Sequence, residues 1–236
     1  FYRDLYQIDI RNEIDWNEKQ VLLRCYFPVD VHTDEATYEI QYGNVKRPTH
    51  YNTSWDDARF EVCAHKWIDL SEDGYGLSVL NDCKYGCDIH NGRIGLTMLK
   101  SAIFPNPDAD KEHHSFTWSL CPHVGRWQEN DTVAKAYALN NPYQVIRKTN
   151  EGGSLPKSYS LVSVDAPNVI IETVKKAEDG EGTIIRMYEC WNRRSRPVTR
   201  AAQTNMLEEE EQELAIYDDT VAVEMKPFEI KTIVVY

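Results

Sequence analysis

Alternation of apolar and polar residues, interrupted at short intervals by glycine-containing turns, runs through most of this chain. Leu77/Val79, Ile94/Leu96/Met98, Phe116/Trp118/Leu120, Ile185/Met187 and Phe228/Ile230/Thr232/Val234 each repeat at every second position. Side chains two apart share one face of a pleated strand, so each segment predicts a strand with one buried face. Between the segments stand Asp73-Gly74, Asn91-Gly92, Gly152-Gly153 and the run from Glu178 to Gly182. Asn-Gly tolerates the positive φ of a tight turn, and Asn91-Gly92 therefore predicts a hairpin. Many short strands with abundant turns point to an all-β sandwich architecture rather than βαβ units.

Helix is expected to be scarce. Thr132 to Leu139 has helical composition, with Asp131 or Thr132 available to cap its first turn. Leu207 to Leu214 shares that composition, although strand pairing could override it. Lys148-Thr149-Asn150-Glu151-Gly152-Gly153-Ser154 is polar and glycine-rich, as an exposed connector would be. A boundary near 148–158 divides the chain into residues 1–148 and a smaller unit, 158–236. Within the latter, Val169 to Val174 and Thr183 to Tyr188 read as a hairpin that the strand from Glu229 to Tyr236 would complete. Tyr38 and Tyr42, four apart on an expected strand, should share a packed face.

Composition then removes whole classes of function. The formal net charge is −12, opposed to a phosphate-backbone partner. Arg193, Arg194, Arg196 and Arg200 form a basic cluster, but Glu208 to Glu211 follow and a solvated, neutralised loop is the expectation. No apolar run approaches the ~20 residues that span a bilayer, so no membrane association is expected. The start, FYRDLYQIDI, lacks Met and a signal-peptide pattern and already alternates like a strand, so the chain reads as part of something longer. Six cysteines, at 25, 63, 83, 87, 121 and 190, lack close pairing and read as reduced, mostly buried thiols of a cytoplasmic protein. The sequons at Asn52 and Asn130 are then chance matches.

Residues that could carry chemistry are present without a catalytic pattern. Thirty-eight acidic residues make a carboxylate uninformative by itself. Asp56 and Asp57 are adjacent, and on a strand would face opposite ways; Glu61 and Asp82 could meet only through the fold. His113-His114 falls in a polar stretch that suits a loop. Asp30, His32 and Asp34, spaced i, i+2, i+4, would line one face of a strand, and Cys83 with Cys87 could bracket a metal. Neither group has a second pair of ligands, so packing is the expectation and no metal site is assigned. No catalytic residue is assigned either, and there is no G-x-S-x-G.

Several stretches, in order along almost the whole chain, carry a resemblance. They are Ile14-Asp15-Trp16-Asn17-Glu18-Lys19, Phe27-Pro28-Val29-Asp30-Val31, Ala36 to Gly43 and Arg47-Pro48-Thr49-His50. Asn52-Thr53-Ser54-Trp55-Asp56 and Ala58 to Trp67 follow, then Leu80-Asn81-Asp82-Cys83-Lys84-Tyr85-Gly86 and Lys226 to Thr232. Together these resemble the C-terminal β-domain region of glycoside hydrolase family 38 α-mannosidases of the bacterial and cytosolic or vacuolar type. The resemblance implies part of a galactose mutarotase-like β-supersandwich up to residue 148, truncated on its N-terminal side, and then a small terminal β-sandwich. It also implies a parent enzyme that cleaves α-mannosidic bonds with retention, using one zinc held with the nucleophile in an N-terminal barrel. The expected partners are that catalytic domain of the same chain, a mannose-containing oligosaccharide and, through an exposed apolar patch, a second copy.

Two groups then invite a supporting role. Asn81, Asp82, Lys84 and Tyr85 offer hydroxyl-binding and aromatic groups beside glycine turns, either at the edge of a substrate pocket or as a well-paired β-turn. Trp55, Arg59 and Trp67 could form a core and domain-interface grouping or a sugar platform. The leading reading is thus a non-catalytic region that walls the pocket of another domain. An independent carbohydrate-binding module is the alternative, and a self-sufficient mutarotase-like enzyme a third, supported only by fold analogy.

Overall fold

A computed structural model describes residues 2–147, 152, 154, 156–178, 180–195, 198–199, 202–204, 206, 211–212, 214, 216–217 and 220–235. The chain divides into two compact units, Phe1–Gln144 and Val145–Tyr236. Lys148 to Glu151 and Gly153 of the expected connector, Arg196 and Arg200 of the basic cluster, and Glu208 to Glu210 lie outside the described residues.

The first unit contains β1 (Ile8–Asp15), β2 (Leu22–Pro28), β3 (Glu35–Ile40), β4 (Gly43–Pro48), α1 (Ser54–Ala58), β5 (Val62–Cys63), β6 (Trp67–Ser71) and β7 (Tyr75–Asn81). β8 (Gly86–His90), β9 (Arg93–Lys100), β10 (His113–Val124), a 3-10 turn (Trp127–Asn130) and α2 (Thr132–Asn140) complete it. The strands form two antiparallel sheets, β1-β10-β7-β6-β3-β4 and β2-β9-β8-β5. Alternation decides which side chains meet: Tyr38, Ile68, Leu70 and Val79 from the larger sheet pack with Cys87, Ile89 and Ile94 from the smaller. A neighbouring layer joins Phe116 and Trp118 to Leu96 and Met98. At ~25 cal/mol per Å² of apolar surface, this burial is the main favourable contribution in the unit.

The larger sheet is covered on its second face too. α2 lies over β6 and β7: Thr132 Oγ1 is 3.1 Å from Ser78 Oγ, Lys66 Nζ lies 4.6 Å from the Tyr137 ring centroid, and Asn140 Nδ2 donates to the Asn81 carbonyl at 3.0 Å. Trp67 is buried there against Trp127, with centroids 4.6 Å apart. Burying a polar sheet face requires partners for its polar groups. Asp69 supplies many of them, accepting from Ser78 Oγ at 2.7 Å, lying 2.8 Å from His123 Nε2, and bonding Ser71. Glu39 likewise accepts from Lys66 Nζ at 2.9 Å and from its backbone N–H at 2.6 Å.

Local chemistry explains most turns and several departures from expectation. The β8–β9 hairpin closes on Asn91 and Gly92, both at positive φ (51° and 69°). β3–β4 closes similarly, with Tyr42 at φ 56°, so Tyr42 sits in the turn and does not share the face of buried Tyr38. Asp30, His32 and Asp34 occupy the loop between β2 and β3 rather than a strand. His113 and His114 begin β10 instead of lying in a loop, because cross-strand pairing sets His113 opposite Asp15 and His114 opposite Ile14. α2 forms over the expected residues, but Asp131 caps it without a side-chain hydrogen bond. Its φ of 54° departs from the extended geometry that aims a capping side chain at the first turn. The short helix α1 is not legible from periodicity. A reciprocal Thr53–Asp56 capping box nucleates it, a T-x-x-D signal present in the sequence.

The second unit contains β11 (Val169–Lys176), β12 (Thr183–Glu189), β13 (Val198–Thr199), β14 (Ala202–Thr204), β15 (Glu211–Gln212), β16 (Ile216–Tyr217), β17 (Thr220–Ala222) and β18 (Ile230–Val235). They form two sheets, β11-β12-β18-β14-β15 and β13-β17-β16. Val169, Ile185, Met187 and Ile233 pack with Val221, Val223 and Met225. Glu211–Gln212 is strand, so pairing with β14 overrides helical composition there. Phe228 falls in a turn at φ 56°, outside the closing strand, and its N–H donates to Glu189 Oε2 at 3.0 Å. Glu189 is fully buried; it also accepts from Trp191 N and Asn168 Nδ2, both at 2.8 Å, and so ties the ends of β12 and β18 together. No helix among the described residues is long and apolar enough to cross a membrane.

Two substitutions test these contacts by urea denaturation. A Cβ at Gly76 would lie 2.5 Å from Ser71 Oγ and 2.7 Å from His123 Cε1. Gly76→Ala should cost about 1–3 kcal/mol, and an unchanged midpoint would contradict the packing. Glu189→Ala removes the acceptor of three hydrogen bonds from a fully buried position and should cost about 2 kcal/mol, whereas Glu172→Ala, on an exposed side, should be nearly neutral.

Candidate functional site

Asn81, Asp82, Lys84 and Tyr85 lie together where the chain leaves β7 for β8, passing from the larger sheet to the smaller. Asn81 is buried and its side chain is engaged at both ends: Nδ2 donates to the His65 carbonyl and Oδ1 accepts from Lys84 N, each at 2.7 Å. Asp82 clasps β10, with Oδ2 accepting from Thr117 N at 2.7 Å while its own N–H donates to Thr117 O at 3.1 Å. Lys84 Nζ lies 4.4 Å from the Phe116 ring centroid. Tyr85 meets the His65 ring edge-on at 4.9 Å and is 43% exposed. Asn81 and Asp82 therefore hold the sheet-to-sheet crossing. Tyr85 is the member with most surface to offer.

The grouping of Trp55, Arg59 and Trp67 does not form. Trp67 is 1% exposed and faces Trp127, which removes it from any surface interface. Trp55, on α1, is 75% exposed, and Phe60 just beyond is 70% exposed. Arg59 is the C-cap of α1 and is exposed. Nearby, Tyr51 stacks on buried His90 with centroids 4.0 Å apart. Of Tyr51, Trp55 and Phe60, sequence reasoning anticipates only Trp55; the other two are apolar residues in a turn-rich stretch without alternation, which is the signal available for them.

The carboxylates with catalytic potential have separate structural partners. Asp56 closes the α1 capping box, and the Thr53 hydroxyl holds its carboxyl below the ordinary range. Asp57 lies beside it in the same helix, not on a strand. Glu61 accepts from Thr97 Oγ1, whereas Asp82 binds the Thr117 backbone. His32 Nε2 is 3.7 Å from Asp30 Oδ1, with both side chains over 90% exposed. Among the described residues, no three His, Cys, Asp or Glu side chains converge to hold a metal ion.

All six cysteines are free thiols. Cys87, Cys121 and Cys190 are buried and Cys25 is half-buried, while Cys63 and Cys83 are exposed, contrary to the expected packing of Cys83. Cys63 ends the two-residue edge strand β5, where its side chain turns outward. Burial pushes Cys87, Cys121 and Cys190 up to about 12, and burial with the Asp82 carboxylate pushes Cys83 to about 11. None of these four is thiolate at neutral pH.

Two profiles specific to one family match the chain. The first, described as Glycosyl hydrolases family 38 C-terminal domain, matches residues 1–108, and the second, Glycosyl hydrolases family 38 C-terminal beta sandwich domain, matches residues 168–233. The chain belongs to glycosyl hydrolase family 38. It corresponds to the C-terminal region of that family's α-mannosidases. It is 39% identical to "Alpha-mannosidase 2C1" of Homo sapiens over 94% of the chain, and 38% identical to "Alpha-mannosidase G" of Dictyostelium discoideum over 96%. It spans only 22% of the length of each. A crystal structure of an α-mannosidase from Enterococcus faecalis V583 shares the fold, with a TM-score of 0.85 at 18% identity, over 100% of this chain and 28% of that one.

Two measurements test the site electrostatics. His113 Nδ1 is 2.8 Å from Asp15 and Nε2 is 3.0 Å from Glu13, and these bonds, Asp15 first, raise its pKa. NMR titration should give a midpoint above the ordinary ~6.5, falling in Asp15→Asn. Since the folded pKa is the raised one, the stabilisation from this cluster is complete below ~6.5 and disappears as pH rises through the folded midpoint. In native-state alkylation, Cys63 should react first, Cys83 more slowly for want of thiolate, and Cys87, Cys121 and Cys190 only on unfolding. Labelling of Cys190 before unfolding would contradict its burial.

Proposed function

We propose that this chain is the non-catalytic C-terminal region of a retaining, zinc-dependent α-mannosidase, bracing or walling the pocket of a catalytic barrel elsewhere in the same protein. The observation that carries the reading is the pair of C-terminal family matches on a chain spanning about a fifth of relatives named α-mannosidase. Engagement of its polar residues in caps and turns supports it. Retaining hydrolysis requires two carboxyl groups about 5–5.5 Å apart, one as nucleophile and one as acid/base. Asp56, Asp82 and Glu61 instead serve a helix cap, a strand clasp and a cross-strand hydroxyl, respectively. On this reading the zinc ligands and nucleophile belong to the remainder of the protein.

The substrate is then a mannose-containing oligosaccharide, with Tyr85 and Lys84 at the pocket edge and Asn81 and Asp82 holding them there. Trp55, Arg59 and Phe60 are exposed together and offer the surface for the catalytic domain, or in its absence for a second copy. A cytoplasmic location accords with six unpaired cysteines.

An aryl α-mannoside assay tests the reading. This chain alone should give no turnover, whereas the full-length protein should turn the substrate over and lose activity on chelation. Turnover by the isolated chain would refute the non-catalytic role. Calorimetry with mannose oligomers addresses the alternative of an independent carbohydrate-binding module, which micromolar binding by this chain alone would favour.

A further inference from the structure

His123 stands near the end of β10 with its side chain 2% exposed, and both of its ring nitrogens meet oxygen atoms. Nδ1 is 3.1 Å from the Gly125 carbonyl, and Nε2 is 2.8 Å from Asp69 Oδ2. A carbonyl oxygen only accepts, so Nδ1 bears a hydrogen. On the other side, Asp69 is surrounded by donors: Oδ2 accepts from Ser78 Oγ at 2.7 Å, and Oδ1 bonds the Ser71 hydroxyl. That setting favours the carboxylate, and imidazole is the stronger base of the two, so the proton between them rests on Nε2. The ring lies between two acceptors. Only a hydrogen on each nitrogen satisfies both.

This arrangement ties the sheet to its cover. Asp69 lies on β6 and Ser78 on β7, and Ser78 Oγ is 3.1 Å from Thr132 Oγ1 at the start of α2. Gly125, at φ 71°, opens the turn that leads to Trp127, whose ring packs on buried Trp67. The other charged groups around the ring are engaged elsewhere. β7 presents Gly76 opposite His123, without charge. Arg126 Nη2 is 2.9 Å from Asp73 Oδ1, and Glu129, beside Gly125, accepts from Arg126 N–H at 3.5 Å. On β10, burial pushes Cys121 up to about 12, and the Lys135 charge of α2 falls on that thiol. When the ring loses one proton, Nε2–H stays with charged Asp69. Nδ1 then turns a lone pair towards the Gly125 carbonyl, and that contact becomes repulsive.

We propose that His123 is a buried imidazolium that latches the Gly125 turn, and with it Trp127, to the larger sheet, and that loss of its second proton releases the turn. The latch is a pH-sensitive conformational device. It requires neither turnover nor a second domain, and so stands apart from the mannosidase reading. Its influence runs along α2 to Asn140, which holds the Asn81 carbonyl at the β7–β8 crossing.

Nitrogen-15 NMR of the imidazole rings of this chain at neutral pH tests it. His123 should show two slowly exchanging ring N–H signals, one on each nitrogen, where a neutral ring shows one. As the pH is raised, the Nδ1–H signal should disappear first, and the Trp127 indole resonance should shift along the same curve. In Asp69→Asn the amide donates to Nε2 of a neutral ring, so one N–H should remain and the pH-linked Trp127 shift should be lost. His113→Gln, which removes an exposed histidine, should leave both behaviours intact. The wild-type count of ring N–H signals decides the matter even where the Asp69 variant does not fold. A single ring N–H on His123 at neutral pH, a Trp127 resonance that does not follow the ring, or one that shifts equally in Asp69→Asn would overturn the proposal.

Discussion

Face-to-face closure of two antiparallel sheets over one apolar layer is the constraint on which the first unit depends. Tyr38, Ile68, Leu70 and Val79 contribute from one sheet, and Cys87, Ile89 and Ile94 from the other. A slip of one residue in any of these strands would exchange its buried and outward faces, so the burial also fixes register. The crossing from β7 to β8 must then be held without error. Asn81 and Asp82 do this by bonding the backbones of His65, Lys84 and Thr117. Residues with the composition of a binding site are consumed by architecture.

The second demand comes from covering the larger sheet on its outer face as well. Ser78, Asp69, His123 and Thr132 are buried there, and each buried polar group must find a partner. The Asp69 network meets that demand, and glycine at position 76 gives it room. In the second unit Glu189 plays a comparable part, one carboxylate gathering backbone and amide donors from separate turns. Both units thus use buried carboxylates as local organisers. Membership of a hydrolase family does not require those carboxylates to be catalytic.

Period-two alternation makes the strands around Leu77, Ile94, Phe116, Ile185 and Ile230 legible, because a half-buried strand imposes that pattern on its sequence. Asn91-Gly92 is legible for a stereochemical reason, since few other pairs tolerate positive φ at both positions. His113 is misread because polarity alone suggests a loop, whereas Asp15 and Glu13 reach it from a strand about a hundred residues away. Tyr42 and the residues around His32 are misread because spacing says nothing about where a strand stops. Trp67 meets the core half of its expectation and not the interface half, because an indole in a patterned segment looks the same whether it faces a second domain or Trp127.

By itself, the sequence determined the all-β class, the Asn91-Gly92 hairpin and the family. Those properties reside in nearest neighbours, short periods and ordered family segments. Tertiary structure alone decided which aromatics remain on the surface and which carboxylates are tied up by backbone N–H groups. Each of these depends on contacts between residues far apart in the chain, and a one-dimensional pattern carries no distance between them.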